Sequence, residues 1–237
     1  MNIGIILAGG QGTRMGITST PKQFIEVYGK PIVIHTIEAF DVHPEIDRIA
    51  VVCHNDFHDE MRIWIRKFEL SKVQWIVDAG ETRQKSVYNG LQAIRDQVSD
   101  DDIVVIHDSA RPLISSRIIS DNIKYVKQYG AVDTVIPASD TIIKSLDGVF
   151  MDSVPIRKEL FIGQTPQSFY YHVIESAHRQ AVDEDIQDAT DDCQLIIKQG
   201  KTKVSLVQGE KMNFKITTMD DLLMLKAVLK MSKLEWI

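Results

Sequence analysis

The stretch Ile3-Gly4-Ile5-Ile6-Leu7-Ala8-Gly9-Gly10 decides the fold, because it joins a short apolar run to a glycine-rich turn. An apolar run of this length, ended by glycines, is typical of a strand buried on both faces of a parallel sheet. Residues 49–53 and 103–106 have the same character, and residues 73–77 and 131–136 are weaker versions of it. The sequence therefore predicts several buried strands, with the glycine turn at the end of the first.

Segments with helical spacing separate these apolar runs. The predicted helices cover about 32–41, 57–69, 83–97, 116–129, 170–181, 191–199 and 218–232, and a further strand is predicted at 203–207. The alternation predicts an α/β fold, a Rossmann-like three-layer αβα arrangement around a mostly parallel sheet. Ligands bind such sheets beyond the carboxyl ends of the strands, so the loops after Leu7, Val77 and Ile106 are the expected site.

Composition limits the classes of function. The 237 residues carry 27 Lys and Arg against 33 Asp and Glu, a net charge of −6, which is unsuited to sequence-independent binding of nucleic acid. Two cysteines are too few for a disulfide framework or a four-cysteine zinc site. No apolar run reaches the roughly 20 residues of a membrane span, and the amino terminus has no basic segment typical of a signal peptide. We expect a single cytoplasmic domain that does not bind membranes.

Residues 138–162 interrupt the alternation. Two short strands are predicted here around an Asp147-Gly148 turn. A hairpin that leaves an α/β core is either a meander at the sheet edge or an arm that contacts a second subunit. We expect the arm, and with it a homodimer formed through about 138–162.

The glycine-rich loop predicts an anion site. Glycines let a ligand approach the backbone amides, and successive amides bind anions. The spacing excludes a dinucleotide fingerprint, since Met15 stands where the third glycine belongs, and the Gly-Lys-Ser/Thr ending of a P-loop is missing. What remains is Gly10-x-Gly12-x-Arg14, followed by Lys22, and two cations at this spacing suit a polyphosphate. The alternative is a glycine turn with two surface cations.

These residues resemble one known family. The loop from Ala8 to Met15 with Pro21-Lys22-Gln23 is similar to the signature of cytidylyltransferases, and further matching segments follow in the family's order at 80–86, 107–112, 164–169, 190–192 and 213–217. The whole chain thus resembles the 2-C-methyl-D-erythritol 4-phosphate cytidylyltransferases and, more closely, the D-ribitol-5-phosphate cytidylyltransferases. Leu7-Ala8-Gly9-Gly10, Gly130 to Thr134 and Gly163 to Phe169 favour the ribitol branch.

The resemblance implies a nucleotidyltransferase that joins CMP from CTP to a sugar-alcohol phosphate and releases pyrophosphate. The second pKa of a phosphate monoester is near 6, so the acceptor is already ionised at about pH 7 and needs no general base. Positive side chains should then neutralise charge at the α-phosphorus. Magnesium is implied as the CTP complex, without a named protein ligand. The product would serve a cell-surface polymer such as teichoic acid or a capsule.

The resemblance also assigns roles to individual residues. The implied catalytic cations are Arg14, Lys22, Arg157 and Lys215, with Arg157 reaching the neighbouring subunit. The implied CTP contacts are Leu7, Ala8, Gly9, Gly10, Gly12, Gly80, Glu81, Thr82, Arg83 and Ser86. The implied acceptor contacts are Asp108, Ser109, Arg111, Thr141 and Thr165.

Several alternatives stay open at this stage. Methylerythritol phosphate, in isoprenoid synthesis, is the alternative acceptor, and a nicotinamide oxidoreductase and a non-catalytic nucleotide sensor are the alternatives from other classes. Residues 80–86 can be read as a helix start alone, and Asp108 as a cap paired with Arg111. Residues 183–192, rich in acids, are predicted to form a solvated loop that ends in a helix capped by Thr190 or Asp191. The histidines show no metal-binding spacing, and we expect His54 and His58 to be exposed.

Overall fold

The structure, a computed structural model, describes residues 1–10, 21–187 and 189–234. Its strands in chain order are β1 (Asn2–Ala8), β2 (Glu26–Val27), β3 (Lys30–Pro31), β4 (Arg48–Cys53), β5 (Val73–Asp78), β6 (Ile103–Asp108), β7 (Ala131–Pro137), β8 (Phe161–Tyr170) and β9 (Ser205–Gln208). Its α-helices are α1 (Ile32–Asp41), α2 (His58–Lys67), α3 (Arg83–Ile94), α4 (Ser116–Tyr129), α5 (Tyr171–Asp183), α6 (Asp192–Gln199) and α7 (Met219–Leu234).

In the described part of the chain, seven strands form one sheet in the order β5-β4-β1-β6-β8-β7-β9. The pairs β4–β5, β1–β4, β1–β6 and β7–β9 are parallel, whereas β8 runs antiparallel to both of its neighbours. The prediction of a mostly parallel sheet is therefore confirmed. Strands β2 and β3 form a small antiparallel ribbon apart from it.

Alternate residues of β1 enter opposite sides of the core. Ile3 and Ile5 pack in the cluster that contains α3, α5 and α6, whereas Ile6 and Ala8 pack in the cluster that contains α1, α2 and α4. This alternation follows from the two-residue period of a strand. Both faces of the sheet are covered by helices, so the predicted three-layer αβα arrangement is confirmed.

Helix α4 begins and ends at the predicted residues. The Ser115 side chain caps its first turn, and Gly130, with a φ of +84°, ends it. A left-handed φ of this kind suits glycine, which has no Cβ to clash with the backbone. Ile118, Ile119 and Ile123 on the predicted apolar face are buried.

Strand β8 was not predicted from the sequence. Its centre is buried but polar, with Gln164, Thr165, Gln167 and Ser168 at most 5 % exposed. These groups are satisfied by specific partners, such as Asp133 for Gln167 and Asn122 for Ser168. The polar residues and Pro166 hide the strand from an analysis based on apolar runs.

Residues 138–162 do not form the two predicted strands. A single antiparallel bridge joins Lys144 to Ser153. The predicted turn at Asp147-Gly148 is present, and the Asp147 carboxylate accepts hydrogen bonds from the backbone N–H groups of Val149 and Phe150 at 2.8 and 2.9 Å. Leu146, Val149 and Phe150 are 74–80 % exposed. Exposed apolar side chains of this density are typical of an interface, and the homodimer stays a prediction.

The carboxyl-terminal helix covers one end of the core. Leu222 and Leu225 of α7 pack against Val27, Ile32 and Ile216. This contact fixes the segment next to Lys215. Of the helices in the described ranges, none has both the length and the apolar character that crossing a membrane requires.

Candidate active site

The carboxyl ends of β1, β4, β5 and β6 border a cavity of about 600 Å³. The predicted site residues that line it are Leu7, Gly9, Gly10, Lys22, Gly80, Glu81, Thr82, Arg83, Ser86, Asp108, Ser109 and Lys215. Gln23, His54, Ala79 and Ala110 also line it and were not among the predicted site residues. The strand-end location is the one expected for this class of sheet.

Two glycines of the cavity loops stand where a side chain would not fit. A Cβ on Gly9 would lie 2.5 Å from the Cβ of Ala79, and a Cβ on Gly80 would lie 2.8 Å from the carbonyl carbon of Lys85. Both distances are too short for ordinary contacts between carbon atoms. Gly9 is therefore required by the close approach of the loops after β1 and β5, and Gly80 by the tight turn that leads from β5 into α3.

The loop after β5 ends in the amino terminus of α3. The Thr82 hydroxyl accepts a hydrogen bond from the Lys85 N–H at 3.1 Å. The Ser86 hydroxyl accepts from the Gly80 N–H at 3.0 Å and donates to the Thr82 carbonyl at 2.9 Å. Residues 80–86 thus form a helix start that lines the cavity, and their contact with CTP stays a prediction. Such a helix terminus favours an anion.

A short turn holds Lys22 at the cavity. Phe24 in this turn stacks on Phe57, with ring centroids 4.2 Å apart. Gln23 is 3 % exposed and donates through its side-chain amide to the carbonyls of Ala8 at 2.6 Å and Gly10 at 2.8 Å. Gln23 therefore ties the lysine turn to the strand-end loop. Its place in Pro21-Lys22-Gln23 was the signal that could have revealed it.

The Asp108 carboxylate lies between two positive side chains of the cavity. Lys215 donates to one of its carboxylate oxygens at 2.6 Å, and Arg83 Nε lies 3.7 Å from the other. Burial by itself would raise the pKa of Asp108, but Lys215 and Arg83 outweigh burial and hold that pKa well below its usual range. Asp108 is thus an ionised group shared by two cations. Its bond with Arg111 runs from the Arg111 backbone N–H to the Asp108 backbone carbonyl at 3.0 Å, whereas the Arg111 side chain donates to Asn213.

The segment that carries Lys215 is held by backbone contacts. Arg111 donates to the Asn213 carbonyl at 2.8 Å, and the Ile216 N–H donates to the Ala110 carbonyl at 2.8 Å. Lys22 in turn donates to the Ile216 carbonyl at 2.7 Å. The two lysines of the cavity are therefore connected through one residue next to Lys215. Arg111 braces this segment and is not among the described residues that line the cavity.

His107 and Thr165 form a buried hydrogen-bond network with the backbone of Asp108. His107 is fully buried, and its Nε2 lies 3.1 Å from the Arg111 carbonyl. A carbonyl can only accept, so Nε2 carries the proton and Nδ1 accepts from the Thr165 hydroxyl at 3.0 Å. The Thr165 oxygen accepts from the Asp108 N–H at 3.1 Å. Thr165 therefore uses its proton inside the protein, and as a phosphate donor it would have to release His107.

We predict that His107 makes stability depend on pH. Burial lowers the pKa of His107 from 6.5 to about 4. Between these values the unfolded chain binds a proton that the folded chain does not, so this contribution to stability is complete above pH 6.5 and is lost as the pH falls toward 4. Urea unfolding should show that wild type has a larger free energy of unfolding than His107→Asn above pH 6.5. This difference should narrow as the pH falls toward 4.

The comparison with the variant is needed because Asp133 acts in the opposite direction. Burial raises the pKa of Asp133 to about 6, so its contribution favours folding more as the pH falls from 6. Subtracting the two unfolding curves removes the Asp133 contribution. A gap that stays constant or widens on acidification would contradict the buried, neutral state of His107.

The comparison with protein families identifies the family of the chain. The family description 2-C-methyl-D-erythritol 4-phosphate cytidylyltransferase (IspD) matches residues 3–231. This chain belongs to that family. It is a nucleotidyltransferase that uses CTP, and the predicted family and enzyme class are confirmed.

Relatives of this cytidylyltransferase include two curated bacterial proteins. A ribitol-5-phosphate cytidylyltransferase of Streptococcus agalactiae serotype III is 42 % identical over 228 residues, which are 96 % of this chain and 95 % of the relative. An enzyme of the same name from Lactiplantibacillus plantarum is 42 % identical over 227 residues, which are 95 % of this chain and 97 % of the relative. The solved structure of 4-diphosphocytidyl-2C-methyl-D-erythritol synthase from Anaerococcus prevotii has a TM-score of 0.82 and 28 % identity, and covers 97 % of this chain and 96 % of its own.

Some predicted residues of the cytidylyltransferase do not line its cavity. The Ala8 side chain is buried below the loop, where the Ala8 carbonyl accepts from Gln23. Thr141 and Arg157 are exposed, and Arg157 donates to the Ser139 carbonyl at 3.3 Å. Their roles at the acceptor stay predictions, as does that of Thr165. Gly12 and Arg14 lie outside the described residues.

His54 and His58 were both predicted to be exposed, and the structure confirms this for one of them. His54 is exposed as expected, but it follows β4 directly and lines the cavity. The prediction that His58 is exposed is wrong, because its side chain is 16 % exposed and lies 3.2 Å from the Asp78 carboxylate. Neither position could be inferred from the spacing of the histidines.

The described carboxylates of the cavity suit Mg²⁺ that arrives as part of a nucleotide complex. Among the described residues, no group of three or more His, Cys, Asp or Glu side chains could hold a metal. The lining carboxylates that the structure describes are Glu81 and Asp108. Mg²⁺ commonly keeps several waters and uses one or two carboxylates beside substrate phosphates. Asp108, beside the cations of the cavity, is the carboxylate that fits this role best.

Proposed function

We propose that this cytidylyltransferase transfers CMP from CTP to D-ribitol 5-phosphate and forms CDP-ribitol and pyrophosphate. The observation that carries the choice of acceptor is the 42 % identity over 96 % of the chain to an enzyme named for ribitol 5-phosphate. The structure named for the methylerythritol product is only 28 % identical. A shared fold therefore supports the reaction, and the higher identity supports ribitol.

In the proposed reaction an oxygen of the acceptor phosphate attacks the α-phosphorus of CTP. One P–O bond forms, the bond from the α-phosphorus to the oxygen bridging to the β-phosphorus breaks, and pyrophosphate leaves with that electron pair. No proton must be removed from an acceptor that is already ionised. The difficulty is the approach of two anions, which a cluster of fixed positive charges relieves.

The cavity provides such a cluster. Lys22, Arg83 and Lys215 all line it. In the proposed arrangement, CTP lies on the loops around Gly9 and Gly80 with its phosphates toward Lys22, and the acceptor lies near Asp108 and Lys215. Mg²⁺ bound with CTP would offset part of the triphosphate charge, and Asp108 would hold it from the protein side.

The proposal includes a homodimer. The exposed apolar residues of 138–162 would be covered by the second subunit, and Arg157 and Thr141 would reach the acceptor in the partner's cavity. This arrangement gives a function to two polar residues that lie outside the cavity of their own chain. The proposed setting is the cytoplasm, and the proposed use of the product is a cell-surface polymer such as teichoic acid or a capsule.

The choice of acceptor is tested by pyrophosphate release. With CTP and Mg²⁺, we expect rapid release with D-ribitol 5-phosphate and little with 2-C-methyl-D-erythritol 4-phosphate. The Lys22→Ala variant, purified in parallel, controls for contaminating enzymes. Release with only the methylerythritol phosphate would replace the proposed acceptor, and release with neither would contradict the proposed reaction.

A further inference from the structure

A buried carboxylate lies directly behind the cavity. Asp192, the first residue of α6, is 1 % exposed. One of its oxygens accepts from Arg83 Nη1 at 2.7 Å, and the other lies 3.0 Å from His178 Nε2. Residues 183–192 were predicted to form a solvated loop, and for Asp192 that prediction is wrong. The helix cap at Asp191 is confirmed, since its side chain accepts from the Gln194 N–H at 2.8 Å.

Arg83 connects this buried carboxylate to the cavity. Its Nη1 is bonded to Asp192, whereas its Nε is 3.7 Å from Asp108, beyond hydrogen-bond distance. Asp108 is held instead by Lys215 at 2.6 Å. The groups form a chain of alternating charge from Asp192 through Arg83 and Asp108 to Lys215, and Asp192 is absent from the described cavity lining.

The backbone fixes Asp192 independently of Arg83. Its N–H donates to the Gln167 side chain at 3.0 Å, and Gln167 donates in turn to Asp133 at 3.0 Å. The backbone of Asp192 is therefore anchored to the polar centre of β8, and His178 contacts its carboxylate. A carboxylate that is already fixed loses little side-chain entropy of its own when it binds an arginine.

Arg83 also has an unused donor. Its Nη2 is buried and has no hydrogen-bond partner among the residues that the structure describes. A buried donor without a partner is unfavourable by about 1–3 kcal/mol. An oxygen of a bound ligand would satisfy it, and Arg83 lies in the wall of the cavity.

We propose that Asp192 is a positioning residue that holds the Arg83 guanidinium away from Asp108 and toward bound CTP. Without the Asp192 charge, Arg83 would move to its remaining carboxylate neighbour and close the 3.7 Å gap to Asp108. Arg83 would then no longer reach the nucleotide, and the hydrogen bond between Lys215 and Asp108 would weaken. This inference rests on the proposed binding of CTP in the cavity.

The test compares Asp192→Asn with the matched control Asp191→Asn. Asparagine at 191 removes the same charge one residue away and keeps the helix cap. We expect Asp192→Asn to weaken CTP binding about tenfold, measured by calorimetry without acceptor, because coupled ion-pair networks have interaction energies equivalent to about 2- to 150-fold. Asp191→Asn should bind CTP like wild type.

A double-mutant cycle separates positioning from a structural role. If Asp192 acts through Arg83, adding Asp192→Asn to Arg83→Gln should cause almost no further loss of CTP affinity. Additive losses, or an Asp192→Asn variant with unchanged CTP affinity, would overturn the proposal even if its thermal stability falls. Because CTP affinity is read without acceptor, wild-type turnover of a different sugar phosphate would refute the proposed acceptor and leave this test intact.

Discussion

Replacement of Lys22 by alanine is expected to lower kcat by about 10²–10³-fold. Removing one preorganised charged donor from the transition state typically has an effect of this size. The short turn with Phe24 and Gln23 holds Lys22 at the cavity before any ligand binds. Since charge at the α-phosphoryl group grows in the transition state, CTP affinity should fall much less than kcat.

The measurement is steady-state pyrophosphate release combined with calorimetric CTP binding. Lys124→Ala is the matched control, because Lys124 is exposed on α4 and lies outside the cavity lining. It removes the same charge and should behave like wild type. Equal losses in CTP affinity and in kcat for Lys22→Ala would show ground-state binding and contradict the assigned role.

Replacement of Arg157 by alanine is expected to reduce kcat/KM for the acceptor by about 10²-fold. A hydrogen bond to a charged group is worth about 1.5–3 kcal/mol, and each 1.4 kcal/mol is a factor of ten. Because Arg157 is exposed and outside the cavity of its own chain, its loss should leave CTP affinity unchanged. Lys158→Ala, one residue away and also exposed, is the control.

Subunit mixing shows which cavity Arg157 serves. If it serves the partner's cavity, a mixed dimer of Lys22→Ala and Arg157→Ala has one intact site. Random exchange makes half of the dimers mixed, so about a quarter of wild-type activity should return. No recovery, with subunit exchange shown independently, would place Arg157 at its own subunit's site or at none.

The sequence predicted the central sheet well because its strands are buried on both faces. Residues 3–7, 49–53 and 103–106 are nearly all apolar, and each is the core of an observed strand. Helix α4 was predicted at about 116–129 from its apolar face, and the structure shows that the Ser115 cap and Gly130 set its ends. Strand β8 was not predicted because its buried amides and hydroxyls form hydrogen bonds with residues distant in the sequence. Such partners leave no local pattern.

Residues of the candidate site that follow a local pattern were predicted, whereas those that depend on contacts with distant residues were not. Strand-end loops and glycines mark the cavity in the sequence, Lys22 follows from the chemistry of phosphates, and Lys215 is implied by the family resemblance alone. Asp192 looked like one more acid in a solvated stretch, because Arg83 is 109 residues away. The arrangement of 138–162 is also outside local reasoning, since its exposed apolar side chains have no local pattern that fixes their packing, and the second subunit that would cover them is a proposal.

The most direct test of the central claim is a crystal structure of the protein with CTP and Mg²⁺. We predict that the nucleotide lies in the cavity between the loops after β1 and β5, with a phosphate oxygen about 3 Å from Lys22 Nζ and with Arg83 still bonded to Asp192. A nucleotide bound elsewhere, or a triphosphate that faces away from Lys22 and Lys215, would contradict it.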